Sequence, residues 1–453
     1  MILPHGALAS RRSTGSLEVS VLAAARTETT RSTLRFFYGW WLVGFAWILY
    51  GFGAAPGYYS WSFFSPEIID DLGLTRGQTG AVFGLFTFMF NSIAPVTGIA
   101  ISRWGTRRVM VVGNLVTATG CWLLSDAETL WECFVYFGIL VGAGIGLSTI
   151  VPCQALATSW FTKYRARAVA TVLTAGGIVG VLVTWFDRVM VQEHSWRTGW
   201  QIIAGLSLVL AVLAAVTVRN RPSDLEQKPD GMLPEVTEHR SADATVTTAS
   251  SDTWTLSAAL RTPQFAVLCL CTVAFAIPWS VTTAHGRLHL EDLGLSTDVA
   301  AQILSVMILV SIAGRITGAA GDFLVPEKVL GFALLVEAAG MFGLLLATTA
   351  TMAYVSTILV AVGFGAAYIS TAVVVAKFFG RIAFAQILGA QYLISGIFNA
   401  LSPAIAGWLF DSTGSYNIAF STIGMMCVLG GILAFRLRVP QPPRPMNVDA
   451  ATE

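Results

Sequence analysis

Twelve long apolar segments run through this chain, and no other feature constrains its fold as much. A helix needs roughly 20 mostly apolar residues to cross a bilayer. Such segments lie near 37–60, 79–101, 109–126, 131–157, 168–190, 200–218, 264–284, 299–320, 329–348, 354–376, 385–408 and 417–436. Hydrocarbon offers the backbone no hydrogen bonds, so spans of this length must be helices. The expected fold class is all-α integral membrane, with twelve transmembrane helices. Only 12% of residues are charged, where a soluble domain carries about 25%. With 27 basic and 26 acidic side chains the net charge is +1, which leaves no basic field for nucleic acid. Six cysteines sit in apolar stretches without CxxC or metal-ligand spacing. They read as small packing residues, and no metal or cofactor is expected.

Residues 1–35 are polar and hold five Arg. Ser10-Arg11-Arg12 has no apolar run behind it, so the stretch reads as a disordered cytoplasmic tail rather than a leader. Residues 219–260, rich in Pro, Asp, Glu, Ser and Thr, read as a solvated linker between bundles spanning 36–218 and 261–438. A short tail, 439–453, closes the chain. Cations set orientation. With the N-terminus inside, 22 of the 27 Lys and Arg fall in cytoplasmic segments, while Arg76, Arg188, Arg197 and Arg287 fall outside and Arg315 lies within a helix. The expected location is the cell membrane, multi-pass, with both termini cytoplasmic.

The two halves repeat each other. Ala94-Pro95-Val96-Thr97-Gly98 faces Gly314-Arg315-Ile316-Thr317-Gly318 at an offset of 220, Gly177-Ile178-Val179 faces Gly396-Ile397-Phe398 at 219, and Ala54-Ala55-Pro56 faces Ala276-Ile277-Pro278 at 222. Prolines at matching places in helices one and seven are expected to interrupt both around a central site.

The loop after helix two reads Gly98-Ile-Ala-Ile-Ser102-Arg103-Trp-Gly105-Thr-Arg107-Arg108. It resembles the signature loop of the major facilitator superfamily, with Ser102 standing where that family has an acid. The equivalent loop keeps Gly318 and Asp322 but has Phe323 in place of the base. Phe37-Tyr38-Gly39-Trp40-Trp41, Trp160-Phe161 with Arg165 and Arg167, Trp196-Arg197, His285 at the end of helix seven, and Phe410-Asp411-Ser-Thr-Gly414-Ser-Tyr416 add to it. Together they are similar to the oxalate/formate antiporter and monocarboxylate transporter branch. That resemblance covers about residues 36–438 and implies two pseudo-symmetric six-helix bundles rocking about a midplane cavity that admits an organic anion from each side in turn.

Arg315 is the leading candidate for the anion site. It lies seven residues before Asp322, about 10 Å along a helix. An Arg at the centre of a membrane helix costs about 2.5–3.5 kcal/mol on insertion scales, so it normally faces a cavity or a partner. Its planar fork matches a carboxylate with two parallel hydrogen bonds. The alternative is a structural latch, with Arg315 paired to a helix end or to Asp322. Ser311 shares its stripe. Helix two presents Thr87, Asn91, Pro95, Gly98 and Ser102, and helix eleven presents Gln391, Ser395, Asn399 and Ser402 beside Tyr392. These side chains serve either substrate or neighbouring helices, the commoner use in membranes. Tyr58, Tyr59 and Trp61 after Pro56, and Trp279 after Pro278, suit either a cavity mouth or an interfacial belt. The substrate-binding set is therefore Arg315, Tyr58, Asn91, Ser311, Tyr392 and Asn399. The branch often carries a Lys on helix one or eleven. Neither helix has one here, the helix-one slot falling near Gly57-Tyr58. One cation suits a singly charged acid better than a dianion such as oxalate.

Glu337 is the second charge at depth. It is either a proton carrier or a neutral acid bonded to a neighbouring helix. His285 and His289 read as solvated residues of an outer loop. Gly142-Ala-Gly144-Ile-Gly146 lies inside an apolar helix and reads as close helix packing, not a dinucleotide loop. No phosphate-binding GxxxxGK(S/T) motif occurs, so gradients rather than ATP would drive transport. Gly98, Arg103, Gly105, Arg107, Arg108 and Asp322 are the gating candidates, with Asp322 approaching Arg165 or Arg167. The expected function is secondary active transport of small organic anions, with monocarboxylates the leading class and a coupled proton or counter-anion as a further partner. Rival readings are a facilitator for a drug or sugar and a non-transporting sensor. No enzyme is expected, and the oligomeric state stays open.

Overall fold

The computed structural model describes residues 37–161, 164–231, 254–318, 324–380 and 384–441. Twelve helical rods make up most of this, with no strand among the described residues. The first half holds α1 (Tyr38–Leu72), α2 (Arg76–Ser92 and Ala94–Trp104), α3 (Thr106–Ser125), α4 (Leu130–Trp160), α5 (Arg165–Glu193) and α6 (Trp196–Thr217). The second holds α7 (Pro263–Asp292), α8 (Thr297–Gly318), α9 (Pro326–Leu345), α10 (Ala350–Phe379), α11 (Phe384–Thr413) and α12 (Asn417–Phe435). Ten of these are long and apolar enough to cross a membrane, and the two pieces of α2 make an eleventh. At 35 residues α1 is the longest, but Glu67, Asp70, Asp71 and its many Gly, Tyr and Trp lower its hydropathy. We call the end where α1 begins the proximal face and the end where it finishes the distal face.

Several rods outrun the apolar segments that announce them. α1 continues twelve residues past 60, and α7 eight past 284. The extra turns carry charges, some exposed and some, like Arg287, buried, so a hydropathy window cuts them off while the helix continues.

The prolines behave differently from expectation. Pro56 and Pro278 do not interrupt α1 and α7, which run on as single helices. The break falls in α2, which bends by 41° at Ile93. Proline removes one helix hydrogen bond and crowds the carbonyl four residues before it. Pro56 and Pro278 are buried between neighbours that hold both flanks in line, whereas Pro95 is exposed and its helix is free to bend.

Within the first half, Trp61 stacks on Phe137 with centroids 4.3 Å apart, and Phe64 and Trp200 pack edge-on nearby. Gly142, Gly144 and Gly146 let α4 approach the backbones of α2 and α3, which is the packing role expected of them. Trp185, Val212, Phe332 and Met425 are exposed on the outside of the bundle, as a lipid-facing surface requires.

The two halves meet mainly along α2–α11 and α5–α8. Added Cβ atoms on Gly80, Gly84 and Gly407 would strike the carbonyls of Pro403, Ala400 and Arg76. On the other pair, Gly177 and Gly180 of α5 admit Ile312 and Ile308 of α8. These contacts run from the distal face to about mid-helix. Gly98, Gly389 and Gly396, on the proximal stretches of α2 and α11, meet nothing within 4 Å. The halves are closed distally and splayed proximally.

The linker expectation needs correction at both margins. Gln227 accepts a hydrogen bond from the Tyr38 backbone, Asp230 accepts one from the Tyr164 backbone, and Trp254 is buried against Phe379. Polar composition there serves helix-end capping as well as solvation. Residues 232–253, like 1–36 and 442–453, fall outside the described residues, and the tail readings fall with them.

Gly84→Leu should wedge α2 from α11. We expect a membrane-impermeant maleimide applied from the distal side to label Thr283→Cys at least fivefold faster in that background. Equal labelling rates would show that the glycine contact does not hold the distal face shut.

Candidate functional site: a central cavity and its distal seal

A cavity of about 250 Å³ lies between the halves. It is lined by α1, α2, α4 and α5 of the first half and α7, α8, α10 and α11 of the second. Because the halves touch distally and splay proximally, it opens toward the proximal face.

Arg315, Tyr58, Asn91, Ser311, Tyr392 and Asn399 all line it. Gly314 lies against the backbone of Val362, and Gly365 against that of Ser311 and Arg315. This contact presses α8 onto α10 and leaves the Arg315 side chain facing the cavity. Its guanidinium carbon lies 5.7 Å from the Tyr368 ring centroid. Its Nε is buried without a hydrogen-bond partner. Arg315 is the one charged side chain among the described lining residues, and no described acid pairs with it. The latch to Asp322 cannot be placed, because Asp322 lies outside the described residues.

The neutral lining residues divide. Asn91 donates to the Thr87 carbonyl at 2.7 Å and Ser311 to that of Ile308 at 2.7 Å, so each turns part of its polarity back onto its own helix. Asn399 keeps a buried Oδ1 unpaired. Tyr58 stands edge-on to Phe86 and Phe90 at 5.4 and 5.3 Å, and Tyr392 stacks on Tyr368 at 6.2 Å. Gln391 donates to the Leu268 carbonyl and Thr272 hydroxyl, and Ser395 to the Cys269 carbonyl. These two tie α11 to α7. Trp61 is no mouth residue, since its ring is buried and its Nε1 donates to the Thr79 carbonyl.

Other expectations are corrected. Glu337 is fully buried, but it faces Gly363 of α10 rather than the cavity, and neither carboxylate oxygen has a hydrogen-bond partner. The neighbouring-helix bond expected of it is absent among the described residues. His285 is not at a helix end or in solvent. It is 1% exposed inside α7, with Nε2 bonded to the Pro403 carbonyl at 2.8 Å. His289 is half-buried beside Phe420, bonded to the Leu344 carbonyl. Both histidines belong to the packing of α7, because that helix outruns its apolar segment. In the loop after α2, Gly105 has a φ of +82° that favours glycine. Arg103, Arg107 and Arg108 are exposed and paired with no described acid, and Gly98 faces open space.

The residues that sequence reading missed form the distal seal. Arg287 of α7, 3% exposed, grips the Glu67 carboxylate of α1 at 2.8 and 2.7 Å. It also binds Glu291 at 2.8 Å and the Phe63 carbonyl. Arg76 of α2 binds Asp292 through both terminal nitrogens and stacks 3.9 Å from the Phe410 centroid. The Asp411 carboxylate of α11 accepts from the backbone N–H of Arg76 and Gly77 at 3.2 and 2.8 Å, capping α2 from across the interface. Arg188 of α5 binds Asp298 of α8 at 2.6 Å. Asp187 is fully buried in α5 beside Ser60, within electrostatic reach of Arg287. Arg315 and Glu337 are therefore not the only charges at depth. The available signal was the repeat: Glu67 and Arg287 are 220 residues apart, which is the offset between the halves.

A family model described as Major Facilitator Superfamily matches residues 46–324 and 290–453. Monocarboxylate transporter 12 of Rattus norvegicus is 26% identical over 386 residues, covering 79% of this chain and 76% of that protein. Monocarboxylate transporter 13 of Bos taurus is 27% identical over 365 residues, covering 78% of each. Among solved structures, a bacterial homologue of the human lysosomal transporter Spinster, inward-facing and occupied, aligns with a TM-score of 0.68 at 14% identity, over 89% of this chain and 96% of that one. The nucleoside transporter NupG aligns at 0.68 and 13%, over 88% and 99%. At such identities the structural likeness speaks for the fold alone.

Arg287→Ala would leave Glu67 and Glu291 without their shared cation. We expect a loss of about 3 kcal/mol, the lower end of the buried-pair range because Glu67 keeps some solvent. Arg188→Ala, from a more exposed pair, should cost under about 1 kcal/mol. Thermal unfolding in detergent should rank the two variants in that order, and equal melting temperatures would reject the buried pair as the main clasp.

Proposed function

We propose that this chain, which belongs to the major facilitator superfamily and is a membrane transporter, carries small monocarboxylate anions by alternating access, with Arg315 as the anion anchor. The observation that carries this reading is a guanidinium in a closed-ended cavity with a buried, unpartnered Nε and no acid among the described lining residues. Charge-assisted hydrogen bonds to a carboxylate supply the missing counter-charge, and the fork takes both oxygens at once. A single cation favours a monoanion, since a second carboxylate would enter a largely aromatic cavity without a partner. The relatives named monocarboxylate transporters support the same substrate class.

Asn91, Asn399, Tyr58 and Tyr392 surround the anchor and orient what it holds, while Ser311 sets the floor beside it. With both termini cytoplasmic in the cell membrane, as the distribution of Lys and Arg favours, the proximal opening faces the cytoplasm and the distal seal faces outward. The stretch from Gly98 to Arg108, with Gly105 at its turn and Arg103, Arg107 and Arg108 exposed, is then free to close against the second half when the distal seal opens, and Asp322 would form a second latch with Arg165 or Arg167 at the start of α5.

Uptake into proteoliposomes tests this. The parent protein should take up labelled lactate and formate, and exclude oxalate and a neutral sugar. Arg315→Ala should abolish carboxylate uptake. Arg315→Lys, which keeps charge but loses the fork, should reduce it roughly 10- to 100-fold, as the loss of about 1.5–3 kcal/mol of charged hydrogen bonding implies. Full uptake in both variants would reject the anchor, and no uptake by the parent would reject the substrate class.

A further inference from the structure

We propose that the cavity is shaped for an aryl monocarboxylate, a carboxylic acid with one aromatic ring a bond or two from its carboxyl carbon, a specialisation that rests on the monocarboxylate reading above. An unbroken ribbon of rings leads away from Arg315 along the second half. Tyr368 lies under the guanidinium, Phe364 follows at 6.1 Å, and Trp279 stacks on Phe364 at 4.3 Å and 14°. Tyr392 flanks the near end of the ribbon at 27° to Tyr368. Across the cavity Tyr58, propped edge-on by Phe86 and Phe90, faces it from α1. A carboxylate held at Arg315 therefore directs the rest of its molecule between two aromatic walls.

Size agrees with chemistry. A cavity of about 150 Å³ accepts benzene, and this one is about 250 Å³, which leaves room for a short linker and a carboxylate. Formate or lactate would fill the anchor and leave the ribbon wet. A ring laid against Trp279 and Phe364 excludes that water, and aromatic pairs gain from offset and edge-on geometry beyond the area they bury. α-Amino acids fit less well, because no acid among the described lining residues meets their ammonium group. The neutral edges of Tyr58 and Asn91 admit a hydroxyl on the ring, but they supply no second charge.

Uptake of labelled phenylacetate, acetate, lactate and phenylacetamide by the full-length protein in proteoliposomes decides it. We expect a half-saturation concentration for phenylacetate at least tenfold below those of acetate and lactate, and no uptake of phenylacetamide, which has the ring without the charge. Trp279→Leu should collapse the phenylacetate-to-acetate preference to threefold or less. Trp279→Phe, which keeps a ring on Phe364, should retain most of it and guards against a folding defect in the first variant. Equal half-saturation for phenylacetate and acetate in the parent overturns the aryl assignment and leaves the monocarboxylate reading standing. Uptake of phenylacetamide alongside phenylacetate overturns the pairing of ring and anchor. No uptake of any acid overturns both readings together.

Discussion

On the axis that relates two pseudo-symmetric halves, a pair of residues can attract by charge only where equivalent positions carry opposite signs. Near such an axis a residue meets its own counterpart, and like would face like if the repeat were perfect. This chain has inverted the sign in place. Glu67 of α1 meets Arg287 of α7 at the repeat offset. Away from that pair, Arg76 of α2 binds Asp292 of α7, and Arg188 of α5 binds Asp298 of α8. At the α2–α11 contact the Asp411 carboxylate accepts from the backbone N–H groups of Arg76 and Gly77, and at the α5–α8 contact Arg188 and Asp298 pair through their side chains. At Glu67 and Arg287 the halves have diverged in charge, and these ion pairs and caps together clasp the distal face.

The cavity depends on that closure. Charges alone would hold the halves at side-chain distance, but Gly80, Gly84 and Gly407 let α2 and α11 touch backbone to backbone. That approach shuts the distal end and fixes the angle at which the proximal ends diverge. Between them remains an aromatic-lined space with one guanidinium. A lone charge in such surroundings is tolerated only where something completes it, and here nothing in the described lining does. The same scarcity of charge that makes the chain a membrane protein leaves the cavity with a single charged side chain among its described lining residues.

Legibility varied with the range of the interaction involved. Arg315 could be found from sequence because a cation in an apolar run is conspicuous whatever surrounds it. Asn91, Ser311 and Asn399 could be named because helical periodicity puts them on polar stripes, with Tyr392 beside one, whereas Tyr58 was named from its place after Pro56 and near the helix-one slot; all five line the cavity. Arg287 and His285 were misjudged for a common reason. Their helix continues past its apolar segment, so a local hydropathy reading assigns them to solvent while the packed helix buries them. Pro56 and Pro95 show the same limit from the other side. The residue is identical, yet one sits in a straight helix and the other in a bend, because neighbours clamp the first and not the second.

The sequence alone determined the membrane class, the helix count, the repeat and the one cation within the apolar runs, since each follows from local composition and period. Only the tertiary structure decided which face is sealed, that Glu337 is packed away from the cavity, and that Glu67 meets Arg287 across 220 residues. Those outcomes depend on how two helices approach each other. Such distances are set jointly by glycines, rings and charges far apart in the chain, and no window along the sequence contains them.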